Sequence, residues 1–292
     1  MSMILAPSLH VVHGDAMTPV LKRAGISGHI LPHRDVLCEG EVPPWPFSAR
    51  LNARVRVIAE TGWATAAEAH RHLAPQYQTL ARADAFSSIY LWFDPDLHDQ
   101  LQLIECLAAF AEQDGLNTPI FLVQLDDFAC DMTGSALWQL YEKAVPVKRT
   151  DLNLAQRYWA AFTSREADDL QQVLYSNAPQ FPYLKSAFLR LMEEFPDPAT
   201  GLSRSERQIL AVVRSGCTDF ATIFRETQRM EACPFAGDVL IQLHLQRLAQ
   251  GACPLLVFEG GWKLTATGYA VLSGAARWTS PRRFLGGKQV GA

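Results

Sequence analysis

The sequence predicts an α/β fold, and three observations carry the prediction. Four short apolar runs read as strands: "SLHVV" at 8–12, "GHILP" at 28–32, "SIYLWF" at 88–93 and "PIFLVQL" at 119–125. They are continuous rather than alternating, which suits a sheet covered on both faces. Helical patterns separate them, and strand alternating with helix is the mark of a mostly parallel sheet, Rossmann-like or flavodoxin-like. After residue 131 the pattern changes to helices alone, and after residue 200 to three helices and a hairpin.

Each element has a local reason. Residues 17–24 form a short helix closed by Gly25, and residues 48–83 a long helical region with a break at Gly62. After Asp96, the apolar positions Leu97, Leu101, Ile104, Ala108 and Ala111 step by four and three, so one face of that helix is apolar. Residues 132–200 form a helical connector, ending in the linker "FPDPATG". Residues 201–274 open with Ser203 and Glu206 in a capping box, in which the serine covers a free N–H and the glutamate reaches back. Two more helices, a tight turn at Gly260 and Gly261 and a last helix complete the plan of a winged helix. Residues 275–292 form a basic tail with Arg277, Arg282, Arg283 and Lys288, to be read as a phosphate-touching arm or a packed extension.

Bulk properties narrow the function. The chain has 292 residues, long enough for two domains, and 49% of them are hydrophobic, so a buried core is expected. The net charge of −4 argues against a non-specific polyanion binder. The charge is uneven: 11 basic and 6 acidic residues follow residue 202, against 15 and 24 before it. The cysteines Cys38, Cys106, Cys130, Cys217, Cys233 and Cys253 contain no C-x-x-C pair, so reduced thiols are expected and a zinc knuckle is not. The first residues lack a signal-peptide pattern, and no apolar run approaches the ~20 residues of a membrane span. The expected location is the cytoplasm.

In an open parallel sheet, ligands bind outside the carboxyl ends of the strands. Here every strand exit delivers ionisable groups: His13, Gly14 and Asp15; His33, Arg34 and Asp35, with Glu39 and Gly40 behind; Asp94 and Asp96; Asp126 and Asp127. Asp96, Asp35 and Glu39 are candidate acid–base groups or metal ligands, and Gly14, Asp15, Arg34, Asp99 and Gln100 candidate ligand contacts. Carboxylates suit Mg²⁺ and imidazoles Zn²⁺ or Mn²⁺, so a divalent metal is possible chemistry. Crowded carboxylates also raise one another's pKa, and an arginine anchors an anion through parallel hydrogen bonds. Duller roles compete. Asp96 suits an N-cap, Asp99 the first turn behind it, and Asp15 the cap of the first helix. Arg34 and Asp35 suit a mutual ion pair, Asp126 and Asp127 plain loop positions, and His13 and His33 structural places. His70 and His72 point in different directions on a helix and are no metal pair. No G-x-G-x-x-G, G-K-[ST] or G-x-S-x-G pattern is present, which weighs against the nucleotide-loop and serine-hydrolase readings.

In the C-terminal part the third helix of a winged helix would enter a DNA groove. Its candidates are Gln242, His244, Gln246 and Arg247, with Arg204, Arg207, Arg225, Arg229 and Lys263 for phosphates. Protein contact is the alternative use of such a module.

The stretches "LHVVHGDA", "HRDVLCEGEVP", "LWFDPDLHDQLQL", "EEFPDPATGLSRSERQIL" and "LTATGYAVLSG" resemble a bacterial family, the domain of unknown function numbered eighteen thirty-five. The resemblance runs from about residue 9 to residue 274. It implies an N-terminal α/β domain with a C-terminal winged-helix-like region, and it implies no activity. The family pattern falls on Gly14, Asp15, Arg34, Asp35, Glu39, Gly40, Asp96, Asp99 and Gln100. This chain departs from it at His13, where asparagine is usual, and at Asp94, where the family varies.

Three readings follow. In the first, the α/β domain binds a small polar or anionic ligand and a winged helix contacts DNA or protein, making a ligand-responsive regulator. In the second, the carboxylate and arginine cluster serves a hydrolase or transferase. In the third, the carboxylates only cap helices in a non-catalytic scaffold.

Overall fold

The computed structural model of the protein describes residues 6–126, 128 and 131–292. Asp127 and Cys130, both singled out in the sequence, lie outside the described residues. The α/β part begins with β1 (Leu9–His13), α1 (Met17–Arg23), β2 (His29–His33) and β3 (Gly40–Glu41). It continues with α2 (Phe47–Glu60), α3 (Ala66–Leu80), β4 (Ile89–Phe93), α4 (Leu97–Ala111) and β5 (Ile120–Gln124). The four apolar runs are therefore strands, each within a residue or two of its expected bounds. The helical region splits at Gly62, and α3 restarts with a capping box between Thr65 and Glu68.

The main sheet has the order β2-β1-β4-β5, all parallel. The chain steps outward from β1 to β2, then crosses back to place β4 on the other side of β1. This reversal is a topological switch point, and in such sheets the ligand crevice lies there, at the carboxyl ends of the strands, here β1 and β4.

The region expected to be wholly helical contains α5 (Gly134–Glu142), α6 (Arg149–Thr163), α7 (Asp168–Val173) and α8 (Leu184–Met192). It also contains a fifth strand, β6 (Val145–Pro146), antiparallel to β5 at the sheet edge. Two residues carry no readable strand period, and a proline is tolerated there because an edge strand needs fewer N–H donors.

The C-terminal part has α9 (Arg204–Arg214), α10 (Phe220–Arg229), α11 (Asp238–Leu248), the antiparallel hairpin β7 (Leu256–Phe258) and β8 (Trp262–Leu264), and α12 (Ala266–Leu272). The capping box of Ser203 and Glu206 is formed. The basic tail is a packed extension: β9 (Arg283–Gly286) pairs in parallel with β3, and β10 (Lys288–Val290) pairs with β9. Arg283 and Lys288 are buried, the lysine donating to the carbonyls of Ala161, Phe162 and Ser164 at the end of α6.

One apolar core contains Leu9 of β1, Leu101 of α4, Phe162 of α6, Leu210 of α9 and Trp278 near the tail. The linker is part of it. Gly201 has φ +76, and a Cβ there would lie 1.9 Å from the Trp278 carbonyl oxygen, so the chain folds back too closely for any other residue. Helix α4 is buried along its whole length, against the sheet on one side and α6 and α8 on the other. Its polar residues, expected to face solvent, therefore lie inside. No helix among the described residues is long and apolar enough to cross a membrane.

Candidate functional site

The crevice between β1 and β4 is lined by groups from both strand ends. Asp96 is the N-cap of α4, its Oδ1 accepting from the Asp99 N–H at 3.0 Å. Asp99 in turn accepts from the Asp94 N–H at 2.7 Å. The second oxygen of Asp99 lies 2.6 Å from Nδ1 of His13, the last residue of β1. The caps expected of Asp96 and Asp99 are present, and the same turn draws Asp94, Asp96 and Asp99 together, with one oxygen of each within 4.8 Å of the others. Gln100 is buried and donates to the Asp94 carbonyl, which shapes the turn. The His13 side chain is 41% exposed. With Nδ1 on Asp99, Nε2 is the nitrogen available to a ligand.

The electrostatics separate these groups. Burial opposes charge on His13, but the close approach of Asp99 and the charges of Asp99, Asp96 and Asp94 outweigh it, raising the imidazole pKa to about 9. Burial, then the Asp99 charge, push Asp96 well above the usual carboxylate range. His98 packs edge-on to His13, 4.7 Å between ring centroids. Burial and the His13 charge hold it well below its ordinary value, so it is neutral near pH 7. Its Nε2 lies 3.2 Å from the Asp35 carbonyl, which only accepts, so the proton belongs on Nε2.

The exit of β2 divides in two. Arg34 donates to both oxygens of Asp15, at 2.9 and 2.5 Å, beside the crevice. That bonding holds Asp15 below the usual range, and the cap position of α1 falls to Ala16, which has no side-chain cap. Asp35 turns inward, away from Arg34, and its carboxylate takes Nε and Nη2 of the fully buried Arg54 at 2.8 to 3.0 Å. Glu39 is also buried. It accepts from Arg247 of α11 at 2.8 and 2.6 Å and lies 3.9 Å from Arg283. Burial works to raise its pKa, but Arg247 prevails and holds it down. Asp35 and Glu39 thus stand outside the crevice as structural ion pairs, because each is saturated by an arginine from a distant helix. Gly14 donates its N–H to the His33 carbonyl, and Asp126 accepts from the Tyr183 hydroxyl.

Below the crevice lies a buried polar layer. His33 Nε2 sits 2.9 Å from Glu105 of α4 and 3.0 Å from Gln76 of α3. Arg50 lies between the rings of Phe47 and Trp159, 3.8 Å from Glu105. Burial opposes ionisation of Glu105, yet His33 and Arg50 hold it below its ordinary value. One sequence signal marked this layer: the lone charge of Glu105 inside the apolar run "LQLIECLAAF".

Asp96 also borders a cavity of about 260 Å³. Its other walls come from α8, through Arg190 and Glu193, and from the C-terminal part, through Arg204, Glu231 and Cys233. Both arginines are paired with carboxylates across this wall, Arg190 with Glu194 and Glu231 and Arg204 with Glu193 and Glu231. Larger clefts beside Trp45 and Trp159, about 960 Å³, and beside Trp63 and Gln242, about 380 Å³, have no strand-exit carboxylate in their walls, whereas one of about 360 Å³ is walled by Glu39 with its partners Arg247 and Arg283.

On α11, Gln242 and Gln246 face the cleft beside Trp63, His244 is buried, and Arg247 is held by Glu39. Lys263 on β8 is exposed and pairs with Glu259. No protein-family model matches the chain, and no curated protein matches it.

Proposed function

We propose that the protein binds a small polar or anionic ligand in the crevice at the ends of β1 and β4, and that its C-terminal part responds to the occupant. The observation that carries this reading is the double exposure of one turn. The turn at residues 94–99 orients the half-exposed His13 at the crevice, and through Asp96 it walls a cavity shared with α8 and the C-terminal part. An imidazolium with Nε2–H free to donate suits an anionic or hydroxyl oxygen, and Arg34 at the neighbouring strand exit suits a second once it is drawn from Asp15. The C-terminal helices and hairpin are read as a winged helix, in keeping with the resemblance to the domain-of-unknown-function family, and its partner as DNA or protein. The free thiols suit a cytoplasmic setting.

The test is a titration of the full-length chain with inorganic phosphate, citrate, adenosine monophosphate, Mg²⁺, Mn²⁺ and Zn²⁺ in turn, following the His13 ring resonances. A saturating shift for one probe, lost in Arg34→Gln, is the expected result. Probes that leave His13 unmoved while its exposed nitrogen still titrates would sink the reading.

A second reading has its own observation, the approach of three carboxylate oxygens within 4.8 Å beside a histidine and aspartate pair. In it the chain is a hydrolase or transferase. His13, oriented by Asp99, moves a proton. Asp94, Asp96 and Asp99 would hold a divalent metal, whose contribution is to polarise a substrate oxygen. Turnover lost in Asp96→Asn with folding intact would select this reading. If neither binding nor turnover is found, the chain is the scaffold of the third reading.

A further inference from the structure

The loop leaving β2 joins two places far apart in sequence. At residue 34 it carries Arg34, paired with Asp15 beside the crevice. At residue 39 it carries Glu39, which grips Arg247 of α11 and neighbours Arg283 of β9. It then runs into β3, which pairs with β9. Between its ends the loop is held as one piece. Arg54 donates to the Asp35 carboxylate and to the carbonyls of Val36, Glu39 and Glu41. The Asp35 carbonyl accepts from Gln102 at 2.9 Å and meets His98, whose ring abuts His13. Gly40 allows no slack: its φ is +78, and a Cβ there would lie 2.2 Å from Val57. A segment stitched this way by one buried guanidinium moves as a unit, because bending it in the middle would strand buried donors and acceptors.

We infer that the loop of residues 34–41 is a lever that couples the crevice to α11 and the C-terminal strands, with Glu39 as the contact at its far end. The inference rests on the reading of the crevice as a ligand site. An occupant that draws Arg34 from Asp15, or His13 from Asp99, shifts His98 and the Asp35 carbonyl, and the displacement arrives at Arg247 and Arg283. Coupling of this kind is reciprocal, so disturbing the far end is felt at the crevice.

The experiment exploits that reciprocity and uses no ligand, so it fails or succeeds independently of the probe titration. Amide exchange across the full-length chain, and the His13 and His98 ring resonances, are compared in the parent, Glu39→Gln, Arg34→Gln and Arg229→Gln. Arg229 serves as control because it forms an exposed ion pair with Glu226 on α10, away from the loop. Glu39→Gln is expected to speed exchange in residues 34–38, 240–248 and 283–286 by at least about tenfold and to shift both histidine resonances. Arg34→Gln is expected to speed exchange in residues 240–248 although it touches none of them. Exchange there within about twofold of the parent in Arg34→Gln overturns the lever, as do unmoved histidines in Glu39→Gln. An equal effect of Arg229→Gln overturns it too, since that marks general loosening. If Glu39→Gln does not fold, Arg247→Lys keeps the charge, loses the paired hydrogen bonds and is read the same way.

Discussion

Replacing His13 by asparagine removes the titrating group at the crevice while keeping a polar side chain beside Asp99. The environment raises the imidazole pKa from 6.5 to about 9, chiefly through Asp99 at 2.6 Å against the opposing cost of burial. Unscreened, that shift corresponds to roughly 3 kcal/mol of preference for the charged form in the folded state. With 41% of the side chain exposed, solvent and salt reduce it to about 1–2 kcal/mol. The sign follows from linkage. A folded pKa above the unfolded value stabilises whenever the group is protonated, so the contribution is complete below about pH 6.5 and is lost as pH rises through about 9. Urea denaturation of the parent and His13→Asn at half-unit intervals from pH 6 to pH 10 checks it. The parent is expected to be more stable at pH 6 by about 1–2 kcal/mol, with the two curves converging near pH 10. Parallel curves across that range would refute the reasoning, because they would mean that His13 carries no excess charge in the folded state.

Three further outcomes follow from the same structure. Arg54→Met leaves the Asp35 carboxylate buried without its partner, so thermal melts should show a loss of about 3–5 kcal/mol, far beyond that of an exposed arginine such as Arg229. Asp96→Asn preserves the cap of α4 and should change stability by less than about 0.5 kcal/mol, whereas Asp96→Ala loses the cap and about 1 kcal/mol, both measured by urea midpoints. If the C-terminal part binds duplex DNA, as one arm of the proposal has it, a salt series should show a slope reduced by about one in Lys263→Ala and unchanged in Arg247→Met, because Glu39 already occupies that guanidinium. Equal slopes in Lys263→Ala and the parent would remove β8 from any DNA contact.

Some of the site was legible in the residues themselves. Asp96 and Asp99 announced a helix start because a carboxylate at the cap and another in the first turn satisfy backbone N–H groups locally. Arg34 and Asp15 were visible as charges at neighbouring strand exits. Their pairing was not, since Asp35 is closer in sequence and only the inward turn of the loop hands it to Arg54. His13 was discounted, yet the register of β1 beside β4 sets it on Asp99. Arg247 reads as a candidate DNA contact, and nothing in the helical pattern of residues 48–83 sets Arg50 and Arg54 apart. Their burial depends on which helix packs over each, and no local pattern records that.

The sequence by itself determined the four parallel strands, the helices between them, the caps at Asp96 and Ser203 and the edge of the sheet that would carry ionisable groups. Apolar runs, helical spacing and capping are local, so a few consecutive residues suffice to specify them. Tertiary structure alone decided the reversal between β2 and β4 that sets the switch point. It also decided the burial of α4 on every side, the return of the tail to pair with β3, and the capture of Arg247 by Glu39. Each brings together groups separated by tens to hundreds of residues, and in every case the partner is chosen by packing and desolvation of the whole chain, which local spacing does not encode.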